Sequence, residues 1–508
     1  MNCVSKLVIW VGCFVVLALF APNAVAAKLT FQINDANGAA VPCRIHLLDP
    51  AGKSLEAPGL PFWKDHFVCP GRVDLSPAAG TYSYVIERGP EHEQVAGKIE
   101  LAEGRDETVT VTLRRIADLK SLGWHGGETH VHRPPQDVPL LMQAEDLHVA
   151  QVITWWNKRN PWTSSLPDEA LRQPDRDRFF HVLAGEDERG GGALLYFHLP
   201  RPLEITKAER EFPSSLSFLK QARQAHPSVW IDVEKPFWWD VPLWLASGEV
   251  DSIGIANNHM CRSQMYRDEA WGKPRDTSRL PNPHGNGLWT QEIYYHLLNS
   301  GLRVPPSAGS ASGVLPNPVG YNRVYVHTGP RLDYEEWWKN LKAGRSFVTN
   351  GPLLLVRADD KLPGEVFQFH APKTIKLEIQ LISRDRVPRI EILQNGEVVQ
   401  TLDCSNNREQ QLTAELSVSK SGWFLVRAIA DNPQTFRFAS TAPFYVEIGN
   451  VKTNISRKSC EFFQKWAEER TASLREKLSQ EDERREVLPH HERAVEFWTA
   501  RARQANAD

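Results

Sequence analysis

Two histidines one residue apart, His130 and His132, stand in the run Gly127-Glu128-Thr129-His130-Val131-His132-Arg133-Pro134. If this run is a strand, positions i and i+2 face the same side, and both imidazoles project together. Neutral imidazole is the commonest protein metal ligand. Val131 suits a strand, Gly126-Gly127 permits a tight approach, and Arg133-Pro134-Pro135 ends any regular element. A metal or anion role follows from this pattern. A surface strand that happens to carry two histidines would read the same way.

Acidic and basic groups collect at the ends of later apolar runs. Residues 180–185 are followed by Glu186-Asp187-Glu188-Arg189. Residues 230–236 read Trp-Ile-Asp-Val-Glu-Lys-Pro, so Asp232 and Glu234 share a face in a strand, with Lys235 beside them. Residues 252–256 lead into Asn257-Asn258-His259. The plain alternatives are a solvated acidic loop, an ion pair between Glu234 and Lys235, and a structural histidine.

The Gly-Glu-Thr-His-Val-His segment resembles the opening motif of the PHP (polymerase and histidinol phosphatase) superfamily. Within it, the chain is similar to the secreted CehA/McbA-like metallohydrolase branch. The resemblance covers residues 119–348 and implies a distorted (β/α)7 barrel. It also implies divalent metals at the strand ends and hydrolysis of phosphate or related esters. The Gly185-Glu186 step looks like the motif whose Glu bridges two metals, with Asp187 its near competitor. Lys235-Pro236 lies where the superfamily often has His-Pro. Two motifs depart further. Trp155 and Trp156 stand where an Asp and a His are expected, and Ala311 and Gly313 where a carboxylate and an imidazole are expected. Indole only donates a hydrogen bond, and Ala and Gly offer no ligand atom. One divalent ion (Zn, Mn or Fe) is therefore the most the family's route allows, held by His130, His132, Glu186 and His259. Asp187 or Glu234 would accept the proton of a bound water, and Arg133 or Lys235 would stabilise an oxyanion.

Tryptophans gather in the same region: Trp155, Trp156, Trp238, Trp239, Trp244, Trp271 and Trp289. They can fill a core, as buried aromatics do. Alternatively Trp155, Trp156, Trp238 and Trp239 form a platform on which a sugar ring stacks. The Gly309–Gly313 stretch is a Gly/Ser loop whose amides could cradle an anion, with Arg323 facing it.

These residues need a large scaffold, and 508 residues supply two to four domains. A hydrophobic content of 41% and a charged content of 24% are those of a folded globular chain. A net charge of −3 with no long basic run gives no sign of nucleic-acid binding. Lys6, the apolar residues 7–20 and Ala24-Val25-Ala26 read as a cleaved signal peptide over 1–26, so a secreted or periplasmic location is expected. A membrane anchor is the alternative reading. No later stretch is long and apolar enough to span a bilayer. Cleavage would leave Cys43, Cys69, Cys261, Cys404 and Cys460, of which Cys43 and Cys69 could pair.

The expected fold is multidomain. Residues 28–118 alternate as short strands and predict a β-sandwich, similar to carboxypeptidase-regulatory-like modules. Residues 119–348 alternate strands with helices and predict a parallel α/β unit, the PHP-like barrel of the resemblance. Residues 349–450 predict a second β-sandwich, with Asn395-Gly396 a hairpin turn. Residues 451–508 predict a helical hairpin with one stripe at Phe463, Trp466, Leu474 and Leu478 and another at Ala494, Val495, Phe497 and Trp498, Pro489 falling in a first turn. Three functions fit: an exported PHP-like hydrolase of phosphoesters or other esters with a single metal, an inactive relative that binds a glycan or cell-surface ligand through its tryptophans, or a structural envelope protein with no small ligand. The oligomeric state is left open.

Overall fold

The computed structural model describes residues 27–507. The signal-peptide reading and Cys3 and Cys13 lie outside the described residues. The chain is multidomain and strand-rich, with seven helices among the described residues, two of them a C-terminal pair. None of these helices is long and apolar enough to cross a membrane.

The N-terminal strands follow their period-two patterns. Leu29, Phe31 and Ile33 are wholly buried from the Leu29–Asn34 strand, and Ile45, Leu47 and Phe67 meet them from a second sheet. Leu29–Asn34 pairs on one side with Arg72–Leu75 and on the other with Glu107–Thr112. The second sheet has five strands. Within it Cys43 and Cys69 are cross-strand partners with sulfurs 3.6 Å apart, and both are free thiols.

From Trp124 onward seven strands follow one another in a sheet: Trp124–Val131, Val149–Trp156, Arg178–Arg189, Gly192–Phe197, Trp230–Val233, Ser252–Ala256 and Pro306–Ala308. The pairings are parallel except on both sides of Gly192–Phe197. The helices Val138–Glu145, Ser215–Ala225, Val241–Ser247 and Gly285–Asn299 fall between them. The two ends of the run meet. His132 N donates to Ser312 O at 2.8 Å and Ala311 N to His130 O at 2.9 Å, with a parallel bridge between Val131 and Ser312. Their core takes in Trp155, Trp230, Trp238, Trp244 and Trp337.

The sheet also continues past the expected boundary at 348/349. Arg323–His327 pairs with Trp124–Val131 and with Ser346–Thr349, which pairs with Phe438–Thr441 of the last β region. There the Asn395-Gly396 turn has φ of 50° and 90°, the positive pair that a tight hairpin requires.

The C-terminal helices Arg457–Lys477 and Glu481–Arg503 dock on the chain's own central unit. Trp466 and Trp498 are fully buried, and Trp498 Nε1 donates to Pro242 O at 2.9 Å. Arg470, itself buried, donates to Asp240 at 2.7 Å and Glu211 at 2.6 Å. Pro489 lies inside the second helix and not in its first turn. Gln480 and Glu483 form a capping box, and three acidic residues occupy the first turn, which starts the helix eight residues ahead of the proline.

Arg470→Ala takes the cation from buried Asp240 and leaves Glu211 only Lys477 at 3.9 Å, and chemical denaturation should show a loss of about 3–5 kcal/mol; a loss below about 1 kcal/mol would deny that this contact holds the helices. Burial pushes His92, His148 and His259 down to about 3. They are neutral in the fold and titrate near 6.5 when unfolded. Their contribution is complete above pH 6.5 and is lost as pH falls towards 3. The urea midpoint should therefore drop between pH 7 and pH 4 with more than one proton taken up on unfolding, and a flat profile would contradict it.

Candidate metal centre

His130 and Glu186 sit on strands that flank a shared neighbour, Val149–Trp156, which runs parallel to both. Outer strands of such a trio are about 10 Å apart, a gap that two imidazoles and a Glu side chain can close. They do close it. His130 Nε2 and His132 Nε2 are 2.9 Å apart, His132 Nε2 and Glu186 Oε2 3.1 Å, and His130 Nε2 and Glu186 Oε2 3.5 Å. Tetrahedral zinc with ligands at about 2.0–2.1 Å places its donor atoms about 3.3 Å from one another. The three sides match that spacing, and a point about 2.1 Å from all three atoms exists just off their plane. Glu186 Oε2 is buried and has no hydrogen-bond partner. The donor set of two imidazoles and a carboxylate thus fits a divalent cation.

The ring of His130 is braced from behind, its Nδ1 3.4 Å from Glu234 Oε1. A carboxylate on one ring nitrogen fixes the tautomer and leaves the other nitrogen to a metal. Burial depresses the basicity of His130, but Glu186 and then Glu234 outweigh it and raise the pKa to about 10. Burial lowers that of His132. Burial also works against the Glu186 charge, yet His130 and His132 hold its carboxyl well below the usual range. Glu234 is anchored by Lys235 at 2.6 Å, by Trp238 Nε1 at 2.9 Å and by Asn258 Nδ2 at 2.7 Å.

Two glycines admit the loop that closes the ring. A Cβ on Gly309 would lie 2.4 Å from His130 Cβ, and one on Gly313, at φ 102°, 2.5 Å from His132 O. The amides of this loop do cradle an anion, and it is the chain's own. Glu128 accepts from Ser310 N at 2.5 Å and from Gly320 N. Burial lifts Glu128 to about 7.

Other expected site residues are placed elsewhere. His259 stands apart from the trio: its Nδ1 is 3.2 Å from Asp268 O, and its ring packs between Phe237 and Tyr266. Asp187 faces away from Glu186, as alternation along a strand demands, and is clasped by Arg189 at 2.5 and 2.8 Å. It has no free edge to act as a base. Arg133 donates to Phe62 O at 3.1 Å and lies over Trp63, tying the centre to the N-terminal module. Lys235 is neutralised by Glu234 and lies 4.5 Å from the Trp238 ring centre, so it is no free oxyanion donor.

The tryptophans do not form a platform. Trp155 and Trp238 are each 1% exposed. Trp155 packs on Gly185, where a Cβ would lie 1.8 Å from its ring, and Trp238 spends its N–H on Glu234. Trp239 is half-buried under Lys273. Only Trp156 borders the trio, its ring 5.0 Å from that of His132.

Glu188 is the group the sequence reading passed over. It shares the strand face of Glu186 two residues away, and its own N–H donates to Asn157 Oδ1 at 2.8 Å. Burial, then Glu186 and Glu234, push its carboxyl up to about 8. The i, i+2 rule applied to the acidic run would have found it. Asp232 is held deeper by Ser252 and Ser307, each at 2.5 Å, and burial raises it to about 6.

His46, Asp65 and His66 form a second group that could hold a metal. There His66 Nδ1 and His46 Nδ1 already meet the Asp65 carboxylate at 2.8 and 3.2 Å. Arg44 Nε donates to His46 Nε2 at 3.0 Å. No orphaned donor atom comparable to Glu186 Oε2 remains in that group.

No family model matches this sequence, and no curated protein matches it. Among solved structures, the minor pilin GBS52 of Streptococcus agalactiae is 13% identical over 18% of this chain and 46% of its own, with a TM-score of 0.16. The chain thus spans about half the length of that pilin. A CARDB domain from Pyrococcus furiosus, solved in complex with di-metal ions, is 17% identical over 19% of this chain and 94% of its own, with a TM-score of 0.13.

Titration of metal-stripped protein with Zn2+ should show tight uptake of one ion that His132→Ala weakens by at least about 100-fold, while His259→Gln leaves it unchanged. Equal binding by wild type and His132→Ala would remove the trio as a metal centre.

Proposed function

We propose that this chain is an exported, PHP-like, metal-dependent hydrolase of phosphoesters or other esters, working with one divalent ion. The observation that carries the reading is the triangle of His130 Nε2, His132 Nε2 and Glu186 Oε2, with Glu234 behind His130. The seven-strand run whose ends meet at Val131 and Ser312 supports the barrel of that superfamily.

A single ion follows from what replaces the remaining ligands. Trp155 is packed into the core, Trp156 covers His132, and Gly313 and Ala311 offer no donor. Held by His130, His132 and Glu186, the ion would supply Lewis acidity and lower the pKa of a water in its open position. The chain's own groups do the rest. Glu234 keeps His130 oriented. Lys235 and Asn258 keep Glu234 in place and charged. Glu188, protonated near neutral pH, delivers its proton to the oxygen of the departing group. Trp156, partly exposed beside the His132 ring, marks the side from which substrate would approach. Zinc suits two imidazoles and a carboxylate best, and manganese or iron would share the set.

The test is turnover of nitrophenyl phosphate, bis-nitrophenyl phosphate and nitrophenyl acetate by stripped and reconstituted protein. One equivalent of divalent metal should switch turnover on for at least one ester. Glu188→Gln should keep the metal and lower kcat by about 10²–10⁴-fold. Loaded protein that turns over none of the three, or Glu188→Gln with full kcat, would overturn the assignment.

A further inference from the structure

A second polar centre lies about the junction of the three large regions of the chain. It brings together Arg44 from the N-terminal module, Arg262 and Arg323 from the central unit, and Arg384 and Arg437 from the last β region. Three carboxylates accompany these five guanidiniums. Glu87 pairs with Arg44 and Arg262, Glu145 with Arg44, and Asp385 with Arg437. The cluster therefore retains two positive charges.

Hydrogen bonding is incomplete in the same place. Arg384 Nη1 and Arg437 Nε are buried atoms without an acceptor, and Arg384 Nη1 comes no nearer than 3.8 Å to Glu87 Oε1. The Tyr321 hydroxyl is buried beside them, and its proton has no acceptor either, since Arg437 can only donate. Burial, with Arg44 and Arg437 nearby, lowers the pKa of Arg384 despite Glu87, which is how an undercompensated cation behaves. Leaving three such donors unsatisfied costs free energy at each.

These residues line a cavity of about 20 Å³. That volume admits one particle the size of a water molecule. A water would accept two hydrogen bonds and leave both charges standing. Phosphate and sulfate are too large.

We propose that this cavity is a binding site for one monatomic anion, chloride in the natural setting, accepting from Arg384 Nη1, Arg437 Nε and the Tyr321 hydroxyl and locking the three regions together. The site is separate from the metal centre and does not rest on the hydrolase reading. Its occupant stabilises the folded chain by mass action, because the donors converge only in the fold.

The experiment is thermal unfolding of the full chain in sodium gluconate replaced stepwise by chloride or bromide at constant ionic strength. The expected result is a saturable rise in Tm of about 2 °C or more with either halide. Arg384→Met leaves Glu87 paired with Arg44 and Arg262, Tyr321→Phe removes only an unbonded hydroxyl, and each should weaken that dependence at least tenfold. Crystals grown in bromide should show its anomalous peak within hydrogen-bond distance of Arg384 and Tyr321. A Tm indifferent to halide, an equal response in both variants, an equal gain from phosphate, or a bromide-free cavity would each overturn the proposal.

Discussion

The Glu128 carboxylate fastens the centre of this molecule. It accepts amide hydrogens from Ser310 and Gly320, and so pins the loop that follows the last of the seven strands against the first. That loop then bonds through its backbone to His130 and His132. Trp124–Gly127 is already held between Val149–Trp156 and Arg323–His327, but on that second side the His130–His132 end of the strand meets only this loop. The positions of the three donor atoms therefore depend on this contact, which Glu128 makes together with the backbone bonds of the loop.

From that constraint the arrangement of charge follows. Two imidazoles and three glutamates occupy a space with little solvent, and each is held by a different partner. Glu186 answers the histidines, Glu234 answers Lys235, and Glu188 keeps its proton because burial disfavours its charge and Glu186 and Glu234 already carry theirs. Buried ionisable groups are costly unless paired. The cluster balances only with a positive charge among the three donor atoms, whether a proton on His130 or a cation. A cation does so better, because it meets both imidazole nitrogens and Glu186 Oε2 at once.

Much of this was legible in the sequence. Period-two alternation located the strand at 29–33 and a short apolar run the one at 180–185, and the Asn395-Gly396 turn has the dihedral angles its residue types demand. His130 and His132 could be paired because strand geometry alone puts them side by side. What could not be read was direction at longer range. Glu186 and Asp187 are chemically equivalent neighbours in sequence, and only the sheet decides that one faces the histidines and the other faces Arg189. Trp155 and Trp238 offered the same surface to a sugar or to a core, and glycines at 185 and 192 decide for the core by making room for the rings. The reach of the sheet past residue 348 depends on pairing between strands about ninety residues apart, which no local pattern carries. Asn258 behind Glu234 and the arginine cluster at the junction of the regions escaped for the same reason.

The claim that most depends on the geometry is that one ion is bound by two nitrogens and one carboxylate oxygen. X-ray absorption at the metal edge of the full chain, loaded with one equivalent of zinc, reads that shell directly. The account predicts a four-coordinate ion with two imidazole nitrogens and oxygen donors at about 2.0–2.1 Å. A shell of water oxygens alone, or one containing sulfur, would contradict it.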